Sequence, residues 1–157
     1  TSLNMFGGGG VSNKTSRLYR RLVEREYAIS VNGSLQATYD PFLYNIVITV
    51  NPKRKVEEVL KQVDEEIDSL FQTRVNQAEI DRAAKQARAL FTYGSENITN
   101  QGFWLGYSEM FAHYSWFLNY VNELEKVTGD DVLQIARTYL QPSQRVVGIY
   151  RPDGGRQ

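Results

Sequence analysis

Side chains able to run a reaction are few in this chain, and their spacing is poor for catalysis. The one histidine, His113, lies in Phe111-Ala112-His113-Tyr114. A helical zinc site needs two imidazoles on one face, so one cannot build it. Among so many rings His113 is expected as a partly buried neighbour of aromatics. Asp64, Glu65, Glu66 and Asp68 form an acidic run on a helix whose other face is apolar, which reads as a solvated face. Asp130 and Asp131 fall in a helix's first turn, where the helix dipole already accounts for them. Gly7, Gly8, Gly9 and Gly10 lack the Lys-Ser/Thr that would make a phosphate loop, and no Gly-x-Ser-x-Gly elbow or dinucleotide fingerprint occurs.

The elements that must position any site are legible from periodicity. Residues 14–26 predict a helix by charge and leucine spacing, with Leu18, Leu22 and Val23 inward and Ser12 or Asn13 as its cap. Residues 28–37 and 43–50 predict two strands joined around Tyr39-Asp40-Pro41, with Tyr44, Ile46, Ile48 and Val50 on one face. Asn51-Pro52 is expected to open a long helix carrying Val56, Val59, Leu60, Val63, Ile67, Leu70 and Phe71 inward. Asn76 and Glu79 suggest a capping box for the next helix, with Ile80, Ala83, Ala84, Ala87, Leu90 and Phe91 inward.

Residues 101–127 predict a strongly aromatic helical stretch, including Phe103, Trp104, Tyr107, Phe111, Trp116, Phe117 and Tyr120. Its rings suit core and inter-domain packing better than a ligand cage. Thr128 is expected to cap a final helix, with Val127 stapled on Val132 and Pro142 as the stop. Residues 145–150 predict a last strand. Strands, a block of helices and a terminal strand define an α+β layer fold, not a doubly wound parallel sheet.

At 157 residues, 41% of them hydrophobic and 23% charged, the chain suffices for one domain over residues 1–157 with a buried core. Lys+Arg and Asp+Glu balance at 18 each, which gives no reason to expect nucleic acid or an anionic membrane as partner. No apolar run nears the ~20 residues of a membrane span. With no cysteine, disulfides and thiolate metal sites are excluded. The opening residues read as a helix end, so the chain is expected to be an N-terminally truncated fragment of a longer parent.

Several runs together carry a family resemblance. Gly7–Gly10 precede Thr15-Ser16-Arg17-Leu18-Tyr19-Arg20-Arg21-Leu22 and Tyr27-Ala28-Ile29-Ser30-Val31. Tyr39-Asp40-Pro41, Val50-Asn51-Pro52, Leu105-Gly106-Tyr107, Val127-Thr128-Gly129-Asp130-Asp131-Val132 and Arg145-Val146-Val147-Gly148-Ile149-Tyr150 follow in order. The chain thereby resembles the zinc-free C-terminal type of domain in the insulinase/pitrilysin zinc peptidases, which include mitochondrial processing peptidase. The resemblance implies a mostly antiparallel sheet with helices packed on one face. It also implies that the first strands and helix of such a domain are missing, leaving an edge to be covered or paired with another copy.

Function follows from the same resemblance. The family hydrolyses peptide bonds with zinc held by His-x-x-Glu-His, a motif this chain lacks, so the zinc belongs to the parent protein or a partner subunit. The implied partners are a zinc-bearing N-terminal domain or subunit and a peptide substrate enclosed between two walls. A domain of the same fold can also serve assembly without proteolysis, as in the core subunits of a respiratory-chain complex. Exported bacterial relatives imply a periplasmic parent.

In related proteases the zinc-free half holds substrate with an Arg and a Tyr seven residues apart. An arginine fork and a phenol hydroxyl can bond a carbonyl and support a developing oxyanion. Arg20 and Tyr27 have that spacing. Aligning the flanking helix and strand instead puts Val23 and Ile29 in those places, and both registers stay open. Gly7–Gly10 imply either a loop that grips peptide or a permissive connection.

Overall fold

The computed structural model describes residues 14–35, 38–40 and 42–151. A π-helical turn, Tyr19–Val23, leads into strand β1, Ala28–Leu35, which pairs antiparallel with β2, Tyr44–Val50. Five α-helices follow: α1 (Val56–Gln72), α2 (Gln77–Gly94), α3 (Ile98–Phe111), α4 (Tyr114–Glu125) and α5 (Gly129–Tyr139). A 3-10 turn, Pro142–Gln144, precedes the last described stretch.

The two-stranded sheet follows its sequence pattern. Val31 pairs with Ile48, Gly33 with Ile46 and Leu35 with Tyr44, which sets Val31 and Ile48 against the first core, while Val47, opposite Asn32, is exposed on the other face. The opposite face carries Ser30, Thr49, Asn32, Ser34 and Asn45, and the Ser30 hydroxyl donates to Thr49 Oγ1 at 3.0 Å. A bulge between Ala28 and Ser30 adjusts the register near the start of β1, where Ile29 is exposed. The first core forms where Leu22, Ala28, Val59 and Val63 are buried, with Leu18, Tyr27, Val31, Ile48, Val50 and Ile67 against them. Helices thus cover one face of an antiparallel sheet, as expected for an α+β layer fold.

A second core lies in the helices. Trp104 and Phe117 are buried, with Phe91, Leu105, Tyr107, Trp116 and Tyr120 packed around them. The rings run continuously: Phe91 meets Phe117 at 5.0 Å and Tyr120 at 5.2 Å, while Phe111 meets Trp116 at 5.0 Å. The expectation of a packed aromatic core holds here.

Several local expectations are corrected. The helix expected over residues 14–26 shrinks to residues 17–23, of which 19–23 are the π-helical turn, and Glu26 turns the chain with φ 58°. Its expected caps, Ser12 and Asn13, lie outside the described residues. Helix α1 begins at Val56, not at Asn51-Pro52. Asn51 builds a side-chain turn instead, its Oδ1 accepting from the Lys53 amide at 3.0 Å. Ala83 is exposed, whereas Ile80 and Ala87 are buried.

The long helix expected over residues 101–127 breaks at Ala112-His113. His113 is the N-cap of α4 and accepts from the Ser115 amide at 3.3 Å, with its side chain 57% exposed, so it is no buried ring. Residues 145–150 are not assigned as a strand and pair with none among the described residues.

Candidate functional site

The chemistry-bearing side chains gather where the π-helical turn meets α1 and α2. Arg17 and Arg21 are four residues apart and reach the same carboxylate from one helical face. Arg17 donates to Glu79 through Nε at 2.7 Å and Nη2 at 2.9 Å, a two-point fork, and its Nη1 lies 3.7 Å from Glu66. Arg21 donates to Glu66 Oε2 at 3.2 Å, to Gln62 Oε1 at 3.2 Å and to Glu65. A cleft of about 200 Å³ opens beside this clasp, floored by Leu18, Ile67 and Leu70.

Mutual hydrogen bonding sets the electrostatics. The Arg17 fork holds the Glu79 carboxyl below its ordinary range, and the same bond raises Arg17. This corrects the reading of the acidic run on α1 as a solvated face. Glu66 is only 15% exposed and shared by two arginines, while Asp64 is bound by Arg145. The signal available in sequence was the spacing of Arg17 and Arg21 opposite Glu65 and Glu66, which becomes informative only once the π-helical turn is packed on α1. Glu79 is also only half of the expected capping box. Its amide is capped by Asn76 at 2.9 Å, but its carboxylate is taken by Arg17.

The expected peptide-holding residues lie apart in environment. Arg20 is exposed, and its charge acts on Glu79 toward α2. Tyr27 is half-buried at the start of β1, packed on the first core, with the Arg54 guanidinium 4.7 Å above its ring. In the other register Val23 is half-buried and Ile29 is 59% exposed. Gly7, Gly8, Gly9 and Gly10 lie outside the described residues. No group of three or more His, Cys, Asp or Glu side chains is arranged to hold a metal ion among the described residues. No described helix is long and apolar enough to cross a membrane.

The described residues form an α+β domain, a helix-covered antiparallel sheet with no metal-binding cluster among them. The chain belongs to the peptidase M16 inactive-domain family, whose model matches residues 3–87, more than half of its length. Solved structures agree on the fold. A candidate zinc protease from Bordetella pertussis Tohama I superposes with TM-score 0.78 at 24% identity, covering 89% of this chain and 78% of that one. The inactive peptidase domain of a candidate zinc protease from Bordetella parapertussis gives TM-score 0.80 at 23% identity, covering 91% and 78%. A protease from Helicobacter pylori gives 0.76 at 19% identity, and here 84% of this chain spans only 32% of the other. No curated protein matches the chain.

Proposed function

We propose that this chain is the zinc-free wall of a two-walled zinc metallopeptidase, closing a chamber around peptide substrates whose hydrolytic metal sits on the other wall. The observation that carries this reading is membership of an inactive peptidase-domain family by a chain with one histidine and no His-x-x-Glu-His. One exposed imidazole acting as a helix cap does not fit a zinc site, so no step of hydrolysis is assigned to this chain.

The surface supports a domain that works against another. Tyr93, Ile98, Phe103, Met110 and Leu118 of α2, α3 and α4 are between 59% and 84% exposed. Large apolar side chains left in water in such numbers suit an interface. Within the chamber, Arg20 and Tyr27 are the proposed contacts to substrate backbone, with Gly7–Gly10 as the proposed gripping loop.

The test is reconstitution. The chain with zinc and a quenched peptide should give no turnover, and co-expression with a zinc-bearing M16 catalytic domain should give a complex that cleaves. Turnover by the chain alone contradicts the proposal. A stable complex that never cleaves would move the chain to the assembly role of this fold.

A further inference from the structure

Two titratable side chains close the first turn of α4. The break at Ala112-His113 leaves the leading amides of α4 without partners inside the helix. Glu109, near the end of α3, accepts from the Tyr114 amide at 2.6 Å. His113 Nδ1 accepts from the Ser115 amide at 3.3 Å and lies 3.0 Å from Ser115 Oγ. Because Nδ1 accepts, the neutral ring keeps its proton on Nε2, the nitrogen 4.0 Å from Glu109 Oε1. The usual caps, Ser, Thr, Asn and Asp, neither gain nor lose a proton near neutrality, whereas imidazole changes charge between about pH 5 and 8. Tyr114 sets its ring 4.3 Å from the imidazole. No Lys or Arg occurs between Arg88 of α2 and Lys126. Arg88 is engaged with Glu125 at the far end of α4 at 2.8 Å, Lys126 with Glu123 at 2.6 Å, and Glu96 precedes α3. Glu109 is thus the charge that faces the ring.

We propose that His113 is a pH-operated latch on the α3–α4 joint, closed while the ring is neutral and open once it is protonated. A proton on Nδ1 turns the acceptor into a donor facing the Ser115 N–H, and that amide loses its partner. Ser115 Oγ is then the acceptor within reach of Nδ1. The new cation stands at the positive end of the α4 dipole, where it is disfavoured, and at the negative end of α3, where it is favoured. It also attracts the Glu109 carboxylate that caps the Tyr114 amide. Neutral His113 serves α4, and the cation serves α3. The joint is tied to the second core: Phe111, the last residue of α3, meets Trp116, in the first turn of α4, at 5.0 Å. Opening the latch loosens that ring contact. Met110, Tyr114 and Leu118 flank the joint, so acid alters the apolar surface assigned above to the other wall. That consequence rests on the proposed chamber, whereas the latch belongs to this chain alone.

The latch is read by NMR on the full chain without any partner, so its failure and the failure of the chamber are separate results. As pH falls from about 8 to about 5, the His113 ring signals should titrate. In step with them, protection of the Ser115 amide against hydrogen exchange, corrected for the intrinsic rate, should fall about fivefold, the size of a lost cap. The Trp116 indole signal should shift over the same range. His113→Asn supplies an acceptor with no proton to gain, and should hold full protection throughout. His113→Ala should match the acid value of the unaltered chain at both ends of the range. The His113 side chain is 57% exposed, so neither replacement disturbs a core. Undiminished protection while the ring titrates, an equal loss in acid for His113→Asn, or full protection in His113→Ala overturns the proposal and leaves His113 an ordinary cap.

Discussion

Glu26, in the turn between the π-helical segment and β1, has φ 58°, a left-handed conformation that costs a residue with a Cβ roughly 1–2 kcal/mol. Its carbonyl is held by Asn51 Nδ2 at 3.1 Å, so the turn stays fixed whatever side chain stands there. Glu26→Gly should raise stability by about 1 kcal/mol in urea titration; a loss would mean that the exposed carboxylate holds the turn. Nearby, the Arg17–Glu79 fork carries a pH dependence whose sign is set by the depressed carboxyl. A carboxyl that ionises more easily when folded contributes fully above its unfolded range, and the contribution drains as pH falls through the depressed folded value. Glu79→Gln should cost about 1 kcal/mol at neutral pH and reduce the loss of stability in acid. An unchanged acid transition would show the fork to be irrelevant.

At the scale of elements, residues with strong local periodicity announced themselves and residues that depend on neighbours did not. The alternation of β2 and the helical stripe of α1 were legible because burial on one face fixes both. The Thr128 cap was legible too: its hydroxyl accepts from the Asp131 amide and Asp131 answers at the Thr128 amide, a reciprocal pair. The break before α4 was not, since neither glycine nor proline marks it and a histidine supplies the cap. Residues 145–150 have strand composition, but a ladder needs a partner strand, which sequence does not show. Of the candidate site, the arginine-rich segment was visible, whereas its pairing with Glu66 and Glu79 is a long-range event.

The junction of α5 with the loop between α1 and α2 gives an element-scale prediction. Glycine in a helix normally gives up stability relative to alanine. At Gly129, however, an added Cβ would stand 2.6 Å from the Val75 carbonyl and 2.8 Å from the Arg74 side chain. The carbonyl cannot swing away without moving the buried Val75. Gly129→Ala should therefore destabilise the chain by on the order of 1–3 kcal/mol despite its better propensity. A neutral or stabilising result in thermal melts would show that the junction yields easily.

At the scale of the whole molecule, the two cores share no buried residue among those described. One joins the sheet to α1 through Leu22, Ala28, Val59 and Val63; the other joins α2, α3 and α4 through Trp104 and Phe117. Outside both lie the Arg17–Glu79 fork and the separately buried Val75, Ile80, Ala87 and Ala136. Separate clusters transmit less of a packing defect than one common core does, so the halves should lose structure at different free energies. Both tryptophans of the chain, Trp104 and Trp116, belong to the second core, which makes their fluorescence a probe of that half alone. Leu22 is fully buried in the first, and Leu22→Ala should cost about 2–5 kcal/mol there. Hydrogen exchange of β1, β2 and α1 should speed up accordingly, while the urea midpoint of the tryptophan signal moves much less. Equal shifts of both signals would show one cooperative unit and remove the distinction between the halves.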